Sequence, residues 1–290
     1  MKQYTYFPGC SCSEGGAKFY NLSAQAVARV FDTELVMLED WNCCGSTPYG
    51  SVDELTSFCL TGRSLALAEA KGRDLVTPCS SCYVMLNRTN TYLKQYPKLK
   101  AKVGEALAAG NLEYHGTIRV RHLLDVLAND IGYEAVRAKT KRYLEGLKVA
   151  PYYGCMVVRP QPSFDHPESP QTLDKLIASM GGEPVPFPLK SRCCGGSLII
   201  PEEDLALELV RKLLDCAVSN GAQCMVAVCP LCQMNLDAYQ SQVNKKYKTN
   251  YKLPILFTTQ LMGFALGLGE ADMGFNTNIV SASGVLAKYR

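Results

Sequence analysis

Cysteine is the residue whose number and spacing could do chemistry in this chain. There are 14, against three His and one Trp. A thiolate is a nucleophile, half of a redox couple and a ligand for soft metals. Ten of the cysteines fall into two sets of like design. The first is Cys10, then Cys43-Cys44-Gly45, then Cys79-Ser-Ser-Cys82; the second is Cys155, then Cys193-Cys194-Gly195, then Cys229-Pro-Leu-Cys232. Cys44 to Cys79 and Cys194 to Cys229 both span 35 positions, while the preceding gaps are 33 and 38. Gly9 stands before Cys10 as Gly154 stands before Cys155. The chain is therefore an internal duplication, and each copy brings five thiols.

Five thiols per copy, two of them adjacent, is an unusual ligand set. A structural zinc ion takes four ligands in a tetrahedron, and a cubane cluster takes four cysteines, usually in a compact run. Adjacent side chains diverge, so both reach one small ion with difficulty but can reach different irons of one polynuclear cluster. Spacing thus points to iron–sulfur, with zinc as the alternative occupant.

The cysteines need elements that place them. Strand-like runs precede them at 4–7, 35–38, 75–77, 150–153 and 225–228, and another lies at 254–257. Helical patterns follow at 17–31, 53–70, 83–96, 171–180, 202–219 and 233–246, and a helix runs from the last strand to about Leu268. Pro201 before Glu202, Glu203 and Asp204 is a helix start, with proline at the first position and acids in the first turn. This alternation predicts an α/β fold: two pseudo-repeated halves, each a small parallel sheet flanked by helices, with a helical connecting region. The division expected is 1–96 for the first repeat, 97–148 for the connector, and 149–290 for the second repeat with a C-terminal extension. Ligands of parallel sheets gather at the carboxyl ends of strands, where the cysteines fall. Helix N-termini there favour an anionic cluster, and Gly45 and Gly195 permit a turn that a Cβ would obstruct.

Composition narrows the classes. The chain has 290 residues, 47% hydrophobic and 20% charged, enough for a core and against wholesale disorder. Thirty basic against 27 acidic residues give no nucleic-acid footprint. Fourteen cysteines in 290 residues is about 5%, under the ~8–10% of disulfide scaffolds. The N-terminus lacks a signal-peptide pattern. The most apolar late stretch, 253–268, is broken by Thr258, Thr259 and Gln260 and falls short of the ~20 residues of a membrane helix. The expectation is a cytoplasmic protein without a membrane span, in which dense cysteine means metal or redox chemistry.

At these residues the sequence resembles the cysteine-rich CCG domain, and its tandem arrangement resembles the B-type subunit of heterodisulfide reductase. The matching stretches, 10–82 and 155–232, make up roughly half of the chain. The resemblance implies two noncubane [4Fe-4S] clusters, one held by Cys10, Cys43, Cys44, Cys79 and Cys82, the other by Cys155, Cys193, Cys194, Cys229 and Cys232. It also implies an oxidoreductase that opens a disulfide, such as that of coenzyme M and coenzyme B in methanogens, between the two clusters, or runs the reverse. The duplication suits that chemistry, because disulfide reduction takes two electrons and parts two sulfurs. Implied partners are a C-type subunit with cubane [4Fe-4S] clusters, then a flavin-containing A-type subunit, and a small thiol or disulfide substrate. Alternatives are a subunit of a sulfur-oxidising heterodisulfide reductase-like complex, and a non-catalytic electron-transfer or zinc-stabilised module. Lactate, glycolate and glycerol-phosphate systems also use CCG repeats, usually with cubane CxxCxxC motifs, which this sequence lacks.

Cys59, Cys216 and Cys224 fall in helical or apolar strand patterns and read as packing residues. Cys12 lies two positions from Cys10 but lacks the preceding glycine, so Cys10 is the expected ligand. His115, His122 and His166 lie outside the repeat; only His166, in a Pro-rich loop, is a candidate for the substrate cleft. The charges beside the vicinal cysteines differ: Glu39 and Asp40 precede the first pair, and Lys190 and Arg192 the second, with Arg159 after Cys155. Positive charge favours a reduced cluster, so the second cluster is expected to be the easier to reduce. Arg159, Lys190 and Arg192 are the candidates to meet an anionic substrate arm.

Overall fold

The computed structural model describes residues 1–13, 15–46, 49–159 and 163–289. Two four-stranded parallel sheets carry the chain. The first has the order β2-β1-β3-β4, from β1 (Lys2–Tyr6), β2 (Thr33–Met37), β3 (Leu75–Thr77) and β4 (Val120–His122). The second repeats it as β6-β5-β7-β8, from β5 (Lys148–Tyr152), β6 (Glu183–Pro184), β7 (Cys224–Ala227) and β8 (Ile255–Phe257). The inner strands β3 and β7 are buried along their whole length, as strands covered by helices on both faces must be.

The main helices are α1 (Lys18–Val30), α2 (Glu54–Glu69), α3 (Ser80–Gln95), α4 (Pro97–Ala108), α5 (Tyr133–Lys139), α6 (Thr172–Ser179), α7 (Glu203–Ser219), α8 (Pro230–Ala238), α9 (Gln240–Tyr247) and α10 (Thr258–Ala265). Their apolar spacing fixes which face turns inward. In α7 Ala206, Leu207, Val210, Leu213, Leu214 and Ala217 are buried, a stripe at helical period.

The region 97–148, expected as a helical connector, also supplies β4, the edge strand beside β3. Three residues with an arginine in the middle leave no strand signature. Arg121 is accommodated because Asp125 and Asp130 accept from its guanidinium at 2.6 and 2.8 Å. Two further readings shift. The helix expected at 233–246 begins earlier, at Pro230, and divides at Tyr239 into α8 and α9. The helix expected to start at Pro201 starts at Glu203, with Glu202 as N-cap.

The halves share a core. Each packs its late helix on the early helix of the other: α10 lies on α1, and α5 on α6. Ser23 and Thr259 hydroxyls are 2.5 Å apart, and the Tyr20 and Phe257 rings stack at 4.0 Å. Val27, Leu127, Leu173 and Leu261 belong to one apolar cluster spanning both sheets. In each sheet the chain leaves the first strand toward one neighbour and returns to its other side. The topological switch point therefore lies between β1 and β3, and between β5 and β7.

Candidate functional site

Each set of five cysteines comes together at such a switch point. Cys10 follows β1 and Cys79 follows β3; Cys155 follows β5 and Cys229 follows β7. Cys79 and Cys229 are the N-caps of α3 and α8, so the unpaired N–H groups of both helix starts face the thiols. Cys10, Cys43, Cys44, Cys79 and Cys82 line one hollow of about 240 Å³. Cys155, Cys193, Cys194, Cys229 and Cys232 line another of about 70 Å³. Cys44 and Cys82 sulfurs lie 3.4 Å apart, and their counterparts Cys194 and Cys232 lie 3.5 Å apart. Among the described residues no three His, Cys, Asp or Glu side chains converge as they would round a lone ion.

The two hollows adjoin. Ser46, Ser81 and Leu231 line both. Ser81 and Leu231 occupy the same place in the two CxxC motifs, so each half contributes its equivalent residue to the divide. Sequence reasoning overlooked these positions, although the intervening residues of the two CxxC motifs were a readable signal.

The backbone approaches the sulfurs closely. A Cβ on Gly9, whose φ is +74°, would stand 2.9 Å from the Cys82 sulfur. One on Gly154, φ +71°, would stand 3.3 Å from that of Cys232. The Gly-Cys step shared by the repeats is thus a clearance requirement as well as a turn. The Lys190 carbonyl accepts from the Tyr153 and Gly154 amides at 2.9 and 3.0 Å and holds the turn before Cys155.

Crowding perturbs the thiols. Hydrogen bonds from the Cys43 and Cys82 thiols hold Cys44 down at about 4. The Cys155 thiol does the same for Cys193, at about 6. Cys229 lies well below the usual thiol value because Cys232 and Cys79 donate to it. Their partners Cys43, Cys82, Cys79, Cys155 and Cys232 are pushed up. The first set thus contains one depressed thiol, Cys44, and the second contains two, Cys193 and Cys229.

The remaining candidates are placed as follows. Cys12 is buried and packs with Ala17, Tyr20 and Phe257; it lines neither hollow. Burial raises its thiol, as it does that of Cys224, which sits in the core at about 12. Cys59 and Cys216 are half-buried. His166 is exposed, accepts from the Glu168 and Ser169 amides, and lines neither hollow. Nor do Arg159, Lys190 or Arg192. Lys190 is paired with Asp174 at 3.0 Å, and on the other side Asp40 is paired with Arg63. The charge contrast expected beside the vicinal cysteines is therefore smaller than the sequence suggests. Arg159 and Arg192 are exposed.

Two duplicated α/β units, each with five thiols round a hollow, define a class of cysteine-rich repeat proteins. A family model for the CCG cysteine-rich domain matches residues 4–87 and 149–237, and the chain belongs to that family, in two repeats. It is 35% identical over 285 residues to the 8-methylmenaquinol:fumarate reductase membrane anchor subunit of Wolinella succinogenes, covering 98% of this chain and 99% of that one. It is 33% identical over 262 residues to the B subunit of the ferredoxin/F(420)H(2)-dependent CoB-CoM heterodisulfide reductase of Methanosarcina acetivorans, covering 89% and 87%. A protein of Archaeoglobus profundus described as like the B subunit of heterodisulfide reductase is 30% identical over 276 residues, covering 92% and 91%. The fold matches a crystal structure of a hypothetical protein from Helicobacter pylori with a TM-score of 0.80 at 17% identity; it covers 97% of this chain and 52% of that chain. Among the described residues no helix is long and apolar enough to cross a membrane.

Proposed function

We propose that this chain is the cluster-bearing subunit of a heterodisulfide reductase-type oxidoreductase, with each set of five cysteines holding a noncubane [4Fe-4S] cluster. The donor set fits such a group: each hollow is lined by five thiols and by no carboxylate or imidazole. Five thiols round each hollow, two of them adjacent in sequence, suit a polynuclear occupant better than a single zinc ion, which takes four ligands. When bound, the two clusters would supply one electron each and irons to hold the parted sulfurs. The observation that carries the reading is the shared lining of the hollows by Ser46, Ser81 and Leu231, which leaves one place open to both.

The chain's own part is to bind, orient and exclude water. Leu231, Met156 and Tyr153 give the second hollow an apolar wall, suited to the alkyl arm of a thiol. Ser81 directs its hydroxyl to the Met156 sulfur at 3.3 Å. Arg159 and Arg192 are exposed and able to meet an anionic arm at the rim, whereas Lys190 serves the scaffold. Electrons would arrive through a C-type subunit with cubane clusters, and a flavin-containing A-type subunit would lie further out. The test is iron, sulfide and EPR analysis of anaerobically purified protein, followed by viologen-linked reduction of the coenzyme M–coenzyme B disulfide. Two zinc ions without sulfide would overturn the cluster assignment.

The relative from Wolinella succinogenes, 35% identical across nearly all of both chains, supports a second reading. In it the same two sites pass electrons within a quinol:fumarate reductase, and the isolated chain turns over no disulfide. Fumarate reduction by the complete complex, absent from the viologen assay, distinguishes the two.

A further inference from the structure

The first CxxC motif carries Ser80 and Ser81 where the second carries Pro230 and Leu231. Ser81 lines both hollows, and its hydroxyl is taken up by the Met156 sulfur at 3.3 Å. Ser80 is different. It opens α3 directly after the N-cap Cys79, yet it lines the second hollow and not the first. It is 2% exposed, and its hydroxyl has no hydrogen-bond partner. The other hydroxyls round the second hollow are provided for. Ser46 and Ser197 are partly or fully exposed, and the Tyr153 hydroxyl donates to Asp174 at 2.6 Å. Among the described residues, Ser80 is therefore the one buried, unpaired polar side chain on the lining of either hollow.

The fold does not ask for that hydroxyl. Helix α8 begins at the equivalent place with Pro230, which has neither a hydroxyl nor a backbone N–H and lines neither hollow. Cys79 is already the N-cap of α3, and the Ser80 hydroxyl bonds to no backbone group of the helix. A buried donor without a partner is destabilising, and such a group in a native protein points to an acceptor supplied by what binds there. The second hollow is a sulfur environment: five thiols line it, and no carboxylate or imidazole does.

We infer that Ser80 carries a hydrogen-bond donor from the first half into the second metal site, where its hydroxyl donates to a sulfur of the group that the second thiol set holds. The inference rests on the cluster reading above. A hydrogen bond to a cluster sulfur stabilises the more negative, reduced state and raises the potential. Pro230 gives the first site no such donor, so one residue inside a CxxC motif makes the duplicated sites unequal. Ion pairing at Asp40 and Lys190 diminishes the charge contrast beside the vicinal cysteines, and Ser80 restores an asymmetry in the same direction.

The experiment is an EPR-monitored redox titration of the anaerobically purified full chain, without substrate, with signals assigned by the Cys44→Ala and Cys194→Ala variants. Ser80→Ala removes only the hydroxyl. It should lower the midpoint potential of the second site and leave the first potential and the iron content unchanged. Ser80→Thr keeps the donor and should restore most of the shift. In heavy water, electron–nuclear double resonance at the second site should show a deuteron coupling that Ser80→Ala abolishes. Equal shifts at both sites, no shift at full iron content, or iron loss in place of a shift would each overturn the inference while leaving the cluster reading intact. A raised KM for the disulfide with both potentials unmoved would also overturn it, by assigning the hydroxyl to the substrate. A wild-type chain without iron and sulfide would overturn both.

Discussion

Cys79 and Cys229 are buried in one cluster across the boundary between the two halves. The pair is the first cysteine of each CxxC motif, and both are fully buried. The two motifs differ at the next residue: Ser80 follows Cys79 and keeps its backbone N–H, whereas Pro230 follows Cys229 and has none. The two thiol sets thus meet at this pair.

The two complete sets predict about eight irons per chain, with matching inorganic sulfide. Cys194→Ala should damage the second site and leave the first spectroscopically intact, because only Cys79 and Cys229 join the sets directly. Loss of both signals together would show one merged site.

Cys10 and Cys12 should separate cleanly. Cys10 lines the first hollow, so Cys10→Ser should lose iron there. Cys12 is enclosed by Ala17, Tyr20 and Phe257, so Cys12→Ser should keep its iron. Burying the hydroxyl without a partner should cost about 1–3 kcal/mol, seen as a lower Tm. Equal iron loss in the two variants counts against Cys10 as the ligand.

Gly9→Ala tests the clearance before Cys10. The new Cβ would meet the Cys82 sulfur at 2.9 Å in a left-handed backbone, costing about 1–2 kcal/mol in backbone strain alone. Iron should fall at the first site. Gly72→Ala, also at positive φ but with open space around it, should carry the strain without the iron loss.

Much of this was legible in the sequence because it is local or periodic. The repeat is visible in the cysteine spacing, and β3 falls where its apolar run ends at Pro78. What escaped depends on distant partners. β4 is three residues long and turns into a strand because Asp125 and Asp130 neutralise Arg121. Lys190 reads as a free cation until Asp174, 16 positions earlier, is brought beside it. The Cys79–Cys229 contact depends on how two sheets meet, and no spacing within one repeat encodes it.

Asp130 should give the fold an acid-sensitive tie. Burial alone would raise its carboxyl, but bonds from Lys2, Tyr4 and Arg121 outweigh it and hold the group at about 2. A carboxyl depressed in the folded state stabilises it above the unfolded pKa and loses that effect as pH falls through the folded one. The contribution should therefore be present above about pH 4 and fade toward pH 2. Asp130→Asn should lower Tm at neutral pH and flatten this part of the pH profile. An unchanged profile would exclude the tie.

Lys190 and Arg192 are two residues apart and should behave differently. The Lys190 ammonium lies 3.0 Å from Asp174, which also accepts from the Tyr153 hydroxyl at 2.6 Å. Its own carbonyl holds the turn before Cys155. Lys190→Met leaves Asp174 with a hydroxyl donor alone and should cost about 1–3 kcal/mol, with Tyr153 displaced at the wall of the second hollow. Arg192 is exposed, so Arg192→Gln should leave Tm and iron content unchanged. If Arg192 meets an anionic arm of the disulfide, its loss should weaken binding by about 0.2–1 kcal/mol, or up to roughly fivefold in KM at low salt. That difference should vanish as salt rises, because an exposed charge is screened within ~10 Å at 0.1 M. A KM effect that persists in high salt, or none at any salt, removes Arg192 from the binding surface; a Tm loss in Arg192→Gln would place it in the scaffold beside Lys190.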